Sequence, residues 1–278
     1  MQRIEIEPGK WSTPLHRQTA EEEIFYVLDG SGISLQEDEV YEVRAGDCLV
    51  HLAGGKTHTL RAGDDGLDVL AFGTRNRTEI GHLPRAGVAW LGRTWVDVGQ
   101  GSHPWEREVE AGEPDVGEPA DRPPSIVNLE DAPSEFEGRA RSLAEGAGSE
   151  LTGLNWASLE EGEEGAPPHC HSAEEEIFVV LDGEGVLELW PAPQASRLHG
   201  DVARETHAIR RGSVIARPPG TRVAHAFRAG AEGMTYLAYG TRDANDIAYY
   251  PRSNKIFFRG AGLIARLESL EYSDGEPG

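Results

Sequence analysis

Two histidines separated by one residue, followed by three carboxylates at the head of an apolar run, are the side chains of this sequence best suited to chemistry. The stretch reads Pro168-His169-Cys170-His171-Ser172-Ala173-Glu174-Glu175-Glu176-Ile177-Phe178. In an extended strand residues i and i+2 face the same way, so His169 and His171 aim both imidazoles in one direction and Cys170 points in the other. Glu176 opens the apolar run 177–181, which ends at Asp182-Gly183. If the two segments pair antiparallel, Glu176 folds back toward the two rings. Two imidazoles and a carboxylate converging on one point make a divalent-metal site. A polar loop carrying two exposed histidines is the competing reading. A fourth donor lies downstream, where 212–227 reads as strand, Pro218-Pro219-Gly220 turn, strand, and His225 opens the second strand.

The elements that must hold these residues occur twice. The segment Glu21-Glu22-Glu23-Ile24-Phe25 through Asp29-Gly30 recurs as Glu174-Glu175-Glu176-Ile177-Phe178 through Asp182-Gly183, an offset of 153. Arg61-Ala62-Gly63 through Thr74-Arg75 recurs as Arg228-Ala229-Gly230 through Thr241-Arg242, an offset of 167. The 14 extra residues of the second copy fall around 191–209, which reads as an enlarged hairpin loop. Self-similarity on this scale means two copies of one structural unit. Residues 106–125 are acidic, Pro-rich and poor in apolar side chains, the composition of a linker. The expected domains are therefore 1–105 and 126–278, the second with a lead-in, 126–153, that has no counterpart before Met1.

Within each copy the apolar runs are short, rich in Val, Ile, Tyr and Phe, and punctuated by Asp-Gly, Ala-Gly and Pro-Gly. They cover 24–28, 40–43, 49–52 and 67–72 in the first copy, and 177–181, 186–190, 214–216 and 234–239 in the second. Only 139–147 offers a helical turn or two. The expected class is all-β, with a sandwich or small barrel in each half.

The offsets carry the candidate donors into the first copy. His169 maps to His16, His171 to Gln18, Glu176 to Glu23 and His225 to His58. A Gln carbonyl oxygen is a weaker metal donor than imidazole. His16, Gln18, Glu23 and His58 are thus either a weaker second metal site or a cluster bound by its own hydrogen bonds. His51 is expected as a partly exposed strand histidine. Glu21, Glu22, Glu174 and Glu175 are expected as solvated loop charge, and His82, His103, His199 and His207 as surface residues of loops and connections. Phe178, Val180, Phe227 and Tyr236 are expected to line a barrel. Trp90, Trp95, Tyr249, Tyr250, Phe257 and Phe258 are expected to cover the barrels or to form contacts between halves or subunits.

His-x-His, Glu, an apolar strand and Gly (His169, His171, Glu176, Gly183), followed by Gly, a Pro-x-Gly-like turn and His (Gly212, Pro219, Gly220, His225), resembles the two-part cupin signature. The turn departs from the commonest short form by two extra residues between Gly220 and His225. Because both copies show the pattern, the resemblance implies a bicupin with two tandem double-stranded β-helix (jelly-roll) barrels. It implies that His169, His171, Glu176 and His225 hold one divalent transition metal (Mn, Fe, Ni, Zn, Cu or Co) and leave positions open for water, substrate or dioxygen. A second metal at His16, Gln18, Glu23 and His58 is the weaker expectation. The pattern is specific for fold and says little about the reaction.

The formal charge of −22 argues against nucleic acid and anionic membrane surfaces as partners. No apolar run approaches the roughly 20 residues of a membrane span, and the first residues lack a signal-peptide core. The expected setting is cytoplasmic, and Cys48 and Cys170 read as free thiols. No phosphate-cradling Gly loop, Ser-His-Asp arrangement or zinc-type Cys cluster is present. These readings point to a metal-dependent enzyme acting on a small organic molecule, a dioxygenase-type oxidoreductase first, then a decarboxylase or isomerase. The alternative is a non-catalytic small-molecule binding or sensing protein. The expected assembly is a monomer with an internal pseudo-dimer, or a homodimer.

Overall fold

Each half is built on one pair of long antiparallel strands. The structure, a computed structural model, describes residues 1–91, 94–97, 103–193, 203–266, 268, 270, 274 and 275. It divides into two units, 1–156 and 157–278. Among the described residues no helix is long and apolar enough to cross a membrane.

The first unit opens with β1 (Gln2–Ile6), β2 (Arg17–Gln18), β3 (Glu23–Gln36), β4 (Glu39–Arg44), β5 (Asp47–His51) and β6 (His58–Gly73). β7 (Ile80–Leu83), β8 (Val88–Leu91) and β9 (Thr94–Asp97) follow. One sheet runs β1-β6-β3-β5-β10, with β4 also on β3, and a second runs β2-β7-β8-β9; β10 is Ile126–Asn128. Strand periodicity puts alternate residues on the inner face. Phe25 and Val27 of β3, Tyr41 and Val43 of β4, and Leu67 and Val69 of β6 accordingly share one buried cluster.

Asp29-Gly30 and Asp182-Gly183, expected to end strands, lie inside them. β3 runs on through Gly30, and its pairing with β6 shifts register between Val27 and Asp29 and again between Gly30 and Gly32. The shifts are β-bulges, which bend a long strand so that one strand serves two stretches of the barrel wall. Gly30 has φ +83°, and a Cβ there would collide with the Gly66 carbonyl oxygen. Gly183 repeats this with φ +73° against the Gly233 carbonyl oxygen. Only glycine meets both demands at little cost.

The chain divides into its two units at 156/157, beyond the boundary expected at 125/126. β10, inside the expected lead-in to the second barrel, pairs antiparallel with β5 of the first, Ile126 opposite Leu49 and Asn128 opposite Asp47. An edge strand with unpaired backbone groups gains a hydrogen-bonding partner this way. The expected linker is also partly structured. It begins inside α1 (Pro104–Glu110), and Arg122 makes a two-pronged ion pair of 2.8 Å at each prong with the fully buried Asp47. β11 (Ser134–Glu135), β12 (Ala140–Ser142) and the single-turn α2 (Leu143–Gly146) complete the unit. The helix expected over 139–147 is confined to that turn. Glu22 is fully buried rather than solvated, and its carboxylate accepts from Ser149, Thr152 and the Glu150 and Leu151 amides.

β13 (Thr152–Leu159) carries the chain into the second unit. There β14 (Cys170–His171), β15 (Glu176–Pro191), β16 (Glu205–Arg210), β17 (Val214–Arg217) and β18 (Val223–Thr241) follow. β19 (Ile247–Tyr250), β20 (Lys255–Phe258) and β21 (Leu263–Arg266) end the described strands. One sheet runs β11-β12-β13-β18-β15-β16, with β17 also on β15, and the other runs β14-β19-β20-β21. Phe178, Val180, Phe227 and Tyr236 pack in the core cluster, as expected of barrel lining. The expected hairpin loop lies between β15 and β16, and its residues 194–202, His199 included, fall outside the described residues. His82 and His207, expected in loops, lie on β7 and β16.

Candidate metal centre

The two-histidine segment and the carboxylate strand do not pair with each other. β14 pairs with β19, His171 opposite Ala248, while His169 bridges directly to His225 through reciprocal backbone hydrogen bonds of 3.2 and 2.9 Å. Glu176 stands at the head of β15, between Arg217 of β17 and Gly240 of β18. Three strands from distant parts of the unit thus bring the four side chains together. Glu176 Oε2 lies 3.4 Å from His171 Nε2 and 3.3 Å from His225 Nε2, and Oε1 lies 4.0 Å from His169 Nε2. Donors held at about 2.1 Å from one ion stand roughly 3.0–3.5 Å from their neighbours, which the Glu176 spacings to His171 and His225 match; His169, Glu176 and His225 form one group that could hold an ion, and His171 lies in a second with Glu174 and Asp246.

The donor atoms also lack other work. His171 Nε2, Glu176 Oε2 and His225 Nε2 are buried with no hydrogen-bond partner among the described residues. Buried polar atoms are ordinarily paired, and three orphans facing one point fit a cation. The opposite ring nitrogens are engaged. His169 Nδ1–H donates to the Pro167 carbonyl at 2.8 Å, and His171 Nδ1–H donates to Asp246 Oδ2 at 2.7 Å. These bonds fix the tautomer that leaves each Nε2 lone pair toward the centre. Asp246, nearly fully buried, is itself held by the Ala173 and Glu174 amides and the Ser172 hydroxyl.

Burial sets the charge preferences. It lowers the His169 imidazole to about 4 and holds His225 well below its ordinary value. It lifts the Glu176 carboxyl to about 7. All three groups are thus pushed toward their neutral forms, and a bound cation supplies the positive charge that restores the carboxylate. Glu174, expected as loop charge, is only 3% exposed, with its carboxylate on Arg259 and on the Asp243 amide. Glu175 is exposed, as expected. Two contributors carry no recognisable pattern in the sequence. Asp246 carries no motif signal and enters from 75 residues away. Arg217, opposite Glu176, donates from Nη2 to the Val223 carbonyl at 2.6 Å and leaves its buried Nε without a hydrogen-bond partner among the described residues. Cys170, between the two histidines, is a buried free thiol lifted to about 11 by burial.

In the first unit His16, Glu23 and His58 converge in the same way, with His16 bridged to His58. His58 Nε2 lies 3.1 Å from Glu23 Oε2 and His16 Nε2 lies 3.6 Å from it. Of these contacts only His58 Nε2–Glu23 Oε2 is within hydrogen-bond distance, and the three residues could also hold a metal ion; against the opposing effect of burial, His16 and His58 hold the Glu23 carboxyl far below its usual range. Gln18 is on β2, and its amide oxygen lies against Gly81 of β7. His51, expected to be partly exposed, is buried and stacked flat on His58, with ring centroids 3.7 Å apart. It occupies the position opposite Glu23 that Arg217 holds opposite Glu176.

Comparison with known proteins agrees with this architecture. A model of the cupin domain matches residues 2–72, and a second cupin model matches residues 154–257. No curated protein sequence matches the chain. Among solved structures, oxalate decarboxylase from Bacillus subtilis aligns with a TM-score of 0.56 at 17% identity, covering 85% of this chain and 66% of that one. Vicilin from Corylus avellana (hazelnut) aligns with a TM-score of 0.56 at 18% identity, covering 89% and 76%. The 7S globulin of Momordica charantia gives 0.58 at 16% identity, covering 89% and 74%. At these identities the likeness is one of fold. With a cupin match in each half and β-barrel geometry throughout, the chain belongs to the cupin superfamily and is a bicupin.

Proposed function

We propose that the C-terminal barrel binds one divalent transition metal through His169, His171, Glu176 and His225 and is a dioxygenase-type oxidoreductase of a small organic molecule. The observation that carries the metal reading is the set of three buried, unpartnered donor atoms around one point. The bound ion would supply Lewis acidity and redox chemistry toward substrate oxygen and dioxygen. The chain's own residues do the rest. Asp246 and the Pro167 carbonyl keep His171 and His169 in the tautomer that presents Nε2. Phe178, Phe227 and Tyr236 form an apolar wall behind His225, with ring centroids of Phe178 and His225 5.1 Å apart. That wall excludes water from the barrel side of the centre. Arg217 sets a positive charge on the strand opposite Glu176, which favours a substrate with an anionic or strongly polar oxygen.

The test is oxygen consumption by the Fe(II)-, Mn(II)- and Cu(II)-loaded protein with pooled small carboxylic acids, phenols and diketones. Expected is metal-dependent uptake that disappears in His225→Ala. Stoichiometric metal without oxygen uptake or any substrate loss would contradict the enzymatic reading and leave a metal-supported binding protein.

A further inference from the structure

The two copies differ along one row of side chains. In the second unit the row crosses β14, β19 and β20 as His171, Ala248 and Phe257. In the first unit the same row crosses β2, β7 and β8 as Gln18, Gly81 and Trp90. Residues directly opposite one another in antiparallel strands share a face. Going from the second copy to the first, imidazole becomes amide, methyl becomes hydrogen and phenyl becomes indole. The change at Gly81 makes room. A Cβ there would stand 3.3 Å from Gln18 Oε1 and 3.6 Å from Trp90 Cβ.

A cavity of about 720 Å³ opens over this row, lined by Gln18, Gly81 and Trp90 together with Glu21, Arg75 and Glu79. That volume suits one small organic ligand. Trp90 is 43% exposed and offers an aromatic surface, against which an aliphatic ring face can lie. Gln18 brings an amide that both donates and accepts. Glu79 is held in place by the Thr19 and Ala20 amides at 2.7 Å each, and Glu21 accepts from the Asn76 amide at 2.7 Å. Each carboxylate keeps acceptor capacity for hydroxyl groups. Three carboxylates, counting Glu23, face one arginine across the cavity, which works against anionic ligands. A flat apolar surface beside acceptors and an amide, under net negative charge, matches a neutral ring bearing hydroxyls.

We propose that the mouth of the N-terminal barrel is a binding site for a neutral cyclic polyol of monosaccharide size, stacked on Trp90 and hydrogen-bonded by Gln18, Glu21 and Glu79. The site stands on the Gln18–Gly81–Trp90 row and its cavity, and owes nothing to the metal reading of the other barrel. The full chain should be titrated with D-glucose, D-galactose, myo-inositol and glucose 6-phosphate, with binding read by calorimetry and by saturation transfer to ligand protons. At least one of the three neutral compounds should bind with a Kd below about 1 mM, and glucose 6-phosphate at least about tenfold more weakly. Gly81→Ala and Trp90→Ala should each weaken binding about tenfold or more, and Trp90→Phe should keep most of it. Thermal melts of Gly81→Ala and Trp90→Phe serve as the folding controls. Saturation by none of the neutral compounds up to about 20 mM, equal or tighter binding of the phosphate, or unchanged affinity in Gly81→Ala would each overturn the proposal.

Discussion

Asp246 decides which nitrogen of His171 faces the other donors, and its removal should be felt as lost metal affinity. Asp246→Asn, which keeps the size but not the charge, is expected to weaken metal binding about 10- to 100-fold, measured by competition with a chelator. Glu176 makes the centre pH-dependent. Its carboxyl is raised from 4.5 to about 7 by burial, so between those values the folded apo-protein holds a proton that the unfolded chain has released. The Glu176 contribution to apo stability should therefore fall as pH rises from about 4.5 to about 7, by on the order of 3 kcal/mol at most, against the opposite contribution of the burial-lowered His169 and His225, so that stability rises more steeply with pH in Glu176→Gln than in the unaltered protein in urea titrations. Metal binding near pH 6 should release the same proton, visible as buffer-dependent heat in calorimetry. The side chains that cluster here are legible because the repeat singles out Glu176 from its two neighbours and the downstream turn locates His225. The settings around them are not. Glu174, Glu22 and His51 look like surface residues in a polar context, and their burial comes from Arg259, Thr152 and His58, partners that only the fold brings near.

Among the elements, the long bulged strands position the site, since Glu23 and Glu176 are the first residues of β3 and β15. The bulge glycines should therefore be sensitive. Gly183→Ala meets both a positive φ and the Gly233 carbonyl oxygen, and is expected to cost about 2–4 kcal/mol in denaturant unfolding. Gly212→Ala, with φ +83° but open space around it, should cost only about 1 kcal/mol. Asp-Gly read as a strand end because the same dipeptide serves tight turns and bulges alike. Local composition does not tell the two apart; the register with the neighbouring strand does. The two-histidine segment likewise invites pairing with the neighbouring Glu176 strand, yet β14 pairs with β19, because pairing order in a barrel follows the crossover connections rather than proximity in sequence.

For the molecule as a whole, the repeat fixed the number of barrels, and the boundary was lost where composition ceased to report structure. Residues 106–125 look like linker, yet Arg122 offsets the charge of the buried Asp47, and β10 beyond them completes the edge of the first sheet. A fragment of residues 1–105 should therefore unfold at least about 10 °C below a fragment of residues 1–156, because a buried carboxylate left without its partner costs about 3–5 kcal/mol. Equal melting temperatures would place the boundary at the composition break. Two copies of one unit have diverged, the second with three buried donor atoms that lack hydrogen-bond partners among the described residues, the first with His16, Glu23 and His58 beside an open cavity. The most direct test of this account is elemental analysis of the full chain and of its His58→Ala and His225→Ala variants after purification without chelators. The account predicts close to one transition-metal ion per chain, retained in His58→Ala and lost in His225→Ala; an absence of bound metal, or an ion that survives His225→Ala, would contradict it.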